Sequence, residues 1–239
     1  MQFSLLIVQQ ILTPFILIFT SKTTYFNYQF WAKTNLKTLQ TFLQLFSIFM
    51  SISLRISGET GLGVSSVGQI VLKTLQRSGF CLRGDHEAPS TIQGGKSNYQ
   101  INFDTNKTHS PNKFADICLA LDREGVLDSL DSLRPNNNSI LIHGFERWNR
   151  IIKDLPDKID ELNARLYFLP AREIAIENGG NTKMIGVTLV GFLCKILDLD
   201  LDILNKIIAQ QFASKPQFIE INCKCAKAGF DFEMENLED

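Results

Sequence analysis

The sequence predicts an α/β fold in which helices cover a mostly parallel sheet, giving three layers. Two short and nearly continuous apolar runs, Asp116–Leu121 and Ser139–His143, are typical of strands that are covered on both faces. A stretch with helical spacing, Arg123–Leu133, lies between them, and a glycine-rich turn, Gly58–Gly68, joins an earlier strand pattern to a helix pattern. Strands that alternate with helices in this order favour a mostly parallel sheet.

The first predicted element is a strand at Ser51–Ser57, where small or polar residues alternate with apolar ones. Gly58, Gly61 and Gly63 follow it, and they allow the backbone to take positive φ angles and to approach a neighbour closely. Helical spacing then continues to Ser78. The order is therefore strand, glycine turn, helix.

Two further strands are predicted before the apolar runs. They lie at Phe80–Gly84 and Ser97–Phe103, and a polar loop with paired glycines, Asp85–Gly95, separates them.

The second half of the domain is predicted to be mainly helical. Glu146–Leu162 is polar, which indicates an excursion or insertion, and Leu166–Leu169 supplies the last strand before a helix start at Pro170. Gly229 is a predicted helix stop. Three helices are predicted at Thr182–Leu197, Asp202–Phe212 and Pro216–Ala228.

Residues 1–50 differ in composition from the rest, because all 25 Asp and Glu lie at or beyond Glu59. The apolar run Phe3–Phe19 lacks the basic region and cleavage site of a secretory signal, and it is marginal as a membrane span. Three explanations stay open: a membrane anchor, a helical extension, or a start codon assigned upstream of Met50. We therefore expect an extension at 1–50, one domain at 51–232 and an acidic tail at 233–239.

Composition excludes some function classes. The formal net charge of −1 provides no basic field for phosphate backbones, so nucleic acid is not an expected partner. The 5 cysteines include no C-x-x-C pair, and the side chains of a C-x-C pair in a helix point apart. We therefore expect reduced thiols, no metal site and a cytoplasmic location.

The glycine turn has two interpretations. Such a turn directs backbone N–H groups and a helix N-terminus at one point, which suits an anion. Its spacing is G-x-x-G-x-G, however, and not the dinucleotide pattern G-x-G-x-x-G. From spacing alone, a tight turn that lets helix and sheet pack closely is favoured over cofactor binding.

Few polar residues elsewhere suggest catalysis. His86, His109 and His143 lie in or beside predicted loops without an evident nucleophile, and we expect them to be surface or packing residues. Asn181 is expected to be a helix cap and Asn222 a helix-surface residue. No catalytic residue is assigned.

Several segments together resemble one family, the gamma-type domain of 2-oxoacid:ferredoxin oxidoreductases, as found fused at the front of an alpha subunit. The resemblance covers about Ser51 to Phe232. The segments that carry it, in chain order, are Ile56–Gly63, Ala88–Ile101, Ala115–Asp122, Leu169–Ala175, Asn181 with Gly186, Phe212–Lys215, and Asn222 with Ala226 and Gly229.

The resemblance implies a Rossmann-like accessory subunit, an oxidoreductase by complex membership that is inactive alone. The complex would oxidise a 2-oxoacid with coenzyme A to an acyl-CoA. Its thiamine diphosphate and iron–sulfur clusters would sit on alpha, beta and ferredoxin-like partner subunits. The rival hypothesis is a stand-alone nucleotide-binding or regulatory module. Residues expected to shape the coenzyme A approach are Gly58, Gly61, Gly63, Ser90, Gly94, Gly95 and Lys96.

The sequence departs from the family pattern at two positions. The first turn is usually G-x-G-G-Q-G, and here Glu59 places a carboxylate beside the glycines. The second loop usually carries Arg where this chain has Gln93, which cannot reproduce bidentate phosphate contacts. Lys96 is the residue that could supply the missing charge.

Overall fold

The computed structural model describes residues 51–87, 95–105, 113–135, 137–144 and 155–233. The predicted extension at 1–50 lies outside these ranges, as do residues 234–239 of the predicted tail.

The sheet has six strands in the order β2-β3-β1-β4-β5-β6. Parallel pairing joins β1 to β4, β4 to β5 and β5 to β6, whereas β3 is antiparallel to both β1 and β2. Among the described strands only β3 therefore runs against the others, which confirms the predicted mostly parallel sheet. The strands are β1 (Ile52–Glu59), β2 (Cys81–Glu87), β3 (Lys96–Asp104), β4 (Ile117–Ala120), β5 (Ile140–His143) and β6 (Arg165–Phe168).

The described helices follow the predicted order. They are α1 (Val64–Arg77), α2 (Arg123–Ser132), α3 (Leu155–Leu162), α4 (Ala171–Gly179), α5 (Ile185–Ile196), α6 (Leu201–Gln211) and α7 (Ile219–Asp231). Two short 3₁₀ turns, Thr182–Met184 and Pro216–Phe218, directly precede α5 and α7.

One face of the sheet carries the larger core. Leu54 and Ile56 of β1 and Ile101 of β3 are fully buried, and they belong to one apolar cluster with Ile70 of α1 and Phe192 of α5. The alternation along β1 and β3 directs every second side chain to this face, which is the period-two pattern of a strand.

The other face is covered by α2 and α3. Cys118 and Ala120 of β4 and Leu141 of β5 pack there against Val126 of α2 and Leu155 of α3. Helices on both faces of the sheet confirm the three-layer prediction.

The structure differs from the prediction of a polar excursion at Glu146–Leu162. The second part of this segment is α3, which connects β5 to the parallel strand β6. Leu155 and Ile159 stand four residues apart on its buried side, so the helix has an apolar face that the surrounding charges obscure in the sequence.

The predicted polar loop Asp85–Gly95 is also shorter than expected. Asp85, His86 and Glu87 belong to β2, where they pair with the 98–100 segment of β3. Backbone pairing at the sheet edge therefore overrides the polar composition of these residues.

Gly229 does not end a helix, because α7 continues through it to Asp231. A Cβ atom at Gly229 would collide with the carbonyl oxygen of Thr188, and one at Gly191 with that of Ala226. These glycines instead allow α5 and α7 to pack backbone against backbone. Asn222, expected on the helix surface, is instead buried, and its side-chain amide donates to the carbonyl oxygen of Phe218 at 2.7 Å.

Within the described ranges, every helix is too short or too polar to cross a lipid bilayer.

Candidate functional site

The site lies between the carboxyl ends of β1 and β4. These neighbouring strands are parallel, and the chain leaves β1 for α1 on one face of the sheet but leaves β4 for α2 on the other. Ligands of open α/β sheets bind outside such a switch in strand order, where the diverging helices leave a crevice. The topology therefore places the glycine turn at the position where a ligand site is expected.

The turn needs glycine for two different reasons. Gly61 has a φ angle of 105° and Gly63 one of 81°, and a Cβ atom at either would meet nothing within 4 Å. At these two positions the backbone conformation requires glycine. At Gly58 the constraint is space, because a Cβ atom would lie 3.2 Å from Cβ of Leu121, which directly follows β4.

The start of β3 lies against this turn. The backbone N–H of Thr60 donates to the carbonyl oxygen of Gly95 at 3.0 Å, and its hydroxyl donates to the same oxygen at 2.6 Å. Glu59 pairs with Lys96 in the antiparallel ladder. The structure therefore brings Gly58, Gly61 and Gly63 together with two other predicted site residues, Gly95 and Lys96. Ser90, Gln93 and Gly94 lie outside the described residues.

Asp122 joins the glycine turn to α2. One of its carboxylate oxygens accepts a hydrogen bond from the backbone N–H of Glu59 at 3.2 Å, and the other accepts from Gly125 N–H at 2.8 Å as the N-cap of α2. The first turn of α2 also approaches β1 closely, since a Cβ atom at Gly125 would collide with the carbonyl oxygen of Ser57.

A concave pocket of about 440 Å³ opens at this point. Glu124 from the first turn of α2 faces this pocket. The sequence patterns predict no role for Glu124, Thr60 or Asp122. A local signal for Asp122 exists, because it stands between an apolar strand and a helix, where an N-cap is common. Among the described residues, the lining consists of Glu59, Thr60, Gly95, Lys96 and Glu124.

A charged network continues from the pocket beneath α2. The Nε atom of Arg55 on β1 lies 2.8 Å from a carboxylate oxygen of Asp128 on α2, and the Ser57 hydroxyl donates to the same oxygen at 2.7 Å. Burial would raise the pKa of Asp128, but these hydrogen bonds and the charges of Arg55 and Lys96 lower it below its ordinary value. Of these causes, the charge of Lys96 is the smallest.

The histidines do not form a catalytic arrangement within the described residues. Nε2 of His86 lies 3.3 Å from the hydroxyl of Ser97, but Ser97 is only 7% exposed. His143 ends β5 in the interior, with its ring centroid 5.4 Å from that of Phe168, and His109 lies outside the described residues. As expected for a cap, Asn181 accepts a hydrogen bond from Lys183 N–H at 2.9 Å.

Comparison with known proteins gives a family match. The family described as "Pyruvate ferredoxin/flavodoxin oxidoreductase" matches residues 53–232. The alpha subunit of 2-oxoacid:ferredoxin oxidoreductase 2 from Aeropyrum pernix is 24% identical over 78% of the chain and 34% of its own length. The ketoisovalerate oxidoreductase subunit VorA of Methanothermobacter marburgensis is 29% identical over 80% of the chain and 38% of its own length.

Solved structures share the fold. A keto/oxoacid ferredoxin oxidoreductase gamma subunit from Geobacter sulfurreducens aligns with a TM-score of 0.60 and 17% identity over 75% of the chain and 96% of its own length. The 2-oxoglutarate:ferredoxin oxidoreductase of Magnetococcus marinus, solved with 2-oxoglutarate, coenzyme A and succinyl-CoA, aligns with a TM-score of 0.62 and 18% identity over 75% of the chain and 30% of its own length. The chain thus spans about a third of the curated relatives and nearly all of a separate gamma subunit.

Proposed function

Since the chain belongs to the pyruvate ferredoxin/flavodoxin oxidoreductase family over residues 53–232, we propose that it is an accessory, gamma-type component of a 2-oxoacid:ferredoxin oxidoreductase complex. The complex would decarboxylate and oxidise a 2-oxoacid with coenzyme A and pass electrons to ferredoxin. The observation that carries the proposal is that the family match covers the whole domain, and that the same fold occurs as a separate gamma subunit.

The chemistry is assigned to partner subunits. Within the described ranges no three or more His, Cys, Asp or Glu side chains are grouped so that they could hold a metal ion, and the described cysteines are free thiols. The proposal places thiamine diphosphate and the iron–sulfur clusters on the alpha, beta and ferredoxin-like partners, as the family resemblance implies. Reduced thiols support a cytoplasmic location.

We propose that the glycine turn, at the carboxyl end of β1, packs against a partner subunit. Leu62 is held between two glycines with positive φ angles and is 48% exposed, more than any other large apolar side chain of the described part. Burial of an exposed apolar side chain against another subunit is favourable, so Leu62 is suited to contact a partner subunit. It is the residue we assign to that contact.

The proposed packing contact can be tested by substitution. Leu62→Asp should weaken association with the partner subunits by about tenfold or more, because a carboxylate would be buried in the interface. Ile176→Asp is the matched control, since Ile176 is 44% exposed on α4, and association should be unchanged. Association left unchanged by Leu62→Asp would place the interface elsewhere.

We propose that Gly58, Gly61, Gly63, Gly95 and Lys96 shape the coenzyme A approach. Glu59 and Glu124 face the same pocket, and Glu124 is ion-paired with Arg123 at 2.6 Å.

Co-purification tests the function. The full chain, tagged in its own cells, should be isolated with thiamine-enzyme subunits, and the isolate should oxidise a 2-oxoacid only when coenzyme A is added. A stand-alone nucleotide-binding or regulatory module is not favoured by the family match, and isolation of the chain without such subunits and without the activity would support that rival instead.

A further inference from the structure

We propose that β2 pairs antiparallel with β2 of a second copy of this chain, so that two sheets join into one across a two-fold axis at Gly84. The proposal goes beyond the proposed function and does not rest on it. In the sheet order, β2 is separated by β3 from the strands β1 and β4, between which the pocket opens.

The outer edge of β2 offers backbone groups for such pairing. β2 is the first strand in the sheet order, and among the described strands it pairs with β3 alone. In an antiparallel ladder every second residue directs its N–H and C=O groups away from the neighbouring strand, so half of these groups in β2 point outward. The 7 residues of β2 make this edge longer than that of β6, the 4-residue strand at the opposite end of the sheet.

The inner face of β2 holds the strand in place. Gly84 lies against α1, because a Cβ atom there would be 2.3 Å from a side-chain methyl group of Leu72. Directly before the strand, the ring of Phe80 packs edge-to-face on that of Phe103 of β3, with 5.3 Å between the ring centroids. A strand that is already ordered loses less conformational entropy when it pairs with another.

The other face of β2 carries two opposite charges. Because Gly84 faces α1, its neighbours Arg83 and Asp85 face the opposite side of the sheet. Their side chains are 54% and 48% exposed. Within the described residues they pair only with each other along the strand, with 3.2 Å between Nε of Arg83 and Oδ2 of Asp85. Both charges therefore remain accessible to a neighbouring strand.

The order of these charges makes β2 complementary to itself. When two antiparallel copies are centred on Gly84, Arg83 of each copy stands directly opposite Asp85 of the other. A shift of two residues would instead place Arg83 opposite Arg83, or Asp85 opposite Asp85, and like charges directly opposite each other are destabilising. Charged residues commonly protect a sheet edge from pairing. Here their order permits pairing with an identical strand, and in one register.

The symmetry of this arrangement limits its size. The two-fold axis stands perpendicular to the sheet, so the α1 helices of both copies lie on the same face of one continuous sheet. Such an interface uses the same surface on both copies and closes at two, since each copy has then used its β2 edge. The proposal therefore predicts a dimer and not a fibre.

Charge reversal tests the proposed dimer. Sedimentation equilibrium of the full chain over a concentration series should show one copy in equilibrium with two. Arg83→Asp alone, or Asp85→Arg alone, would place two like-charge pairs in the interface and should weaken self-association by about tenfold or more. Since both side chains are about half exposed, the fold should survive, and circular dichroism checks this.

A mixture of the two variants supplies the sharper test. In an equimolar mixture of the Arg83→Asp and Asp85→Arg chains, each cross-strand pair again contains one carboxylate and one guanidinium. Mixed dimers should therefore form about as tightly as wild-type dimers. The chain that carries both substitutions should likewise recover wild-type self-association, because its charges are exchanged but still complementary.

The matched control reverses a charge of another exposed ion pair. Nζ of Lys224 lies 2.8 Å from Oε1 of Glu220 on α7, and Lys224→Glu or Glu220→Lys should leave self-association unchanged. A wild type that stays a single copy throughout the series would overturn the proposal, and so would single variants that associate as tightly as the wild type. A mixture that associates no better than either variant alone would overturn it as well.

Hydrogen exchange identifies the other possible occupant of this edge. In the wild-type dimer, the backbone amides of β2 should exchange more slowly as the chain concentration rises. If the isolated chain remains a single copy and these amides are protected only in a complex with partner subunits, the edge pairs with a strand of a partner subunit and the proposed dimer is refuted.

Discussion

The carboxylate of Asp122 accepts the backbone N–H of Glu59 across 63 positions of sequence, at 3.2 Å. This hydrogen bond ties the turn after β1 to the turn after β4, because the other carboxylate oxygen caps α2 through Gly125. One side chain thus sets the relative position of the two turns that form the pocket.

Replacement of Asp122 by Ala should lower the free energy of unfolding by about 1–2 kcal/mol, since both the cap and the link to Glu59 are lost. Asp200→Ala is the control, because Asp200 caps α6 through Asp202 N–H at 2.8 Å and its side chain makes no second hydrogen bond within the described residues. Urea denaturation of the two variants measures the difference. Equal losses would show that the link to Glu59 contributes nothing.

Asp128→Asn should destabilise the chain by roughly 2–3 kcal/mol at neutral pH, because Arg55 would lose its partner while each side chain is only 14% exposed. The pKa of Asp128 is lowered in the folded state, so its stabilisation is fully present above the ordinary Asp pKa of about 3.9 and is lost as pH falls through the lower folded value.

The difference in unfolding free energy between the wild type and Asp128→Asn should therefore be constant from about pH 5 to 7 and shrink below about pH 4. Asp131→Asn, at an exposed position of the same helix, should show a loss within about 0.5 kcal/mol. A wild-type advantage that persists unchanged at the lowest pH at which the fold survives would refute the pKa assignment.

Gly191→Ala should cost at least about 3 kcal/mol, because its methyl group would collide with the Ala226 carbonyl and force α5 and α7 apart. Gly186→Ala on the same helix should cost only about 1 kcal/mol, since there the added methyl group meets a side-chain methyl of Val67 at 2.6 Å. Thermal or denaturant unfolding ranks the two, and the reverse order would contradict the close-packing account.

Thiol reactivity should separate the cysteines. Burial raises the pKa of Cys118 to about 12 and that of Cys194 to about 12, whereas Cys81 is exposed. At pH 8 only about 1 in 10⁴ of the buried thiols would be thiolate, and thiolate is the reactive form. Iodoacetamide followed by peptide mass spectrometry should find Cys81 labelled first in the native chain and all three in the unfolded chain. Early labelling of Cys194 would show that α5 is not buried as described.

Local patterns carry much of the fold in the sequence. Alternation predicts β1 and β3, and the continuous apolar run predicts β4, because a strand in this sheet exposes one or both faces to packed helices. The glycines at 61 and 63 are predictable for the same local reason, since the turn requires positive φ angles there.

Long-range contacts are what the sequence does not reveal. The link from Asp122 to Glu59, and the approach of α5 to α7 at Gly191 and Gly229, depend on how distant segments pack. Gly229 is in a position that favours a helix stop locally, yet helix packing determines its role. The sequence likewise predicts only part of the pocket: the glycine turn can be recognised, but Glu124 reaches the pocket from α2, which follows β4.

Reconstitution tests the central claim most directly. The remaining subunits of the complex, purified without this chain, would be titrated with it while coenzyme A-dependent oxidation of the 2-oxoacid is followed by ferredoxin reduction. The accessory role predicts no activity from the chain alone and a rise in activity that saturates at a fixed ratio of chain to partner subunits. Full activity without the chain, or no change at any ratio, would contradict it.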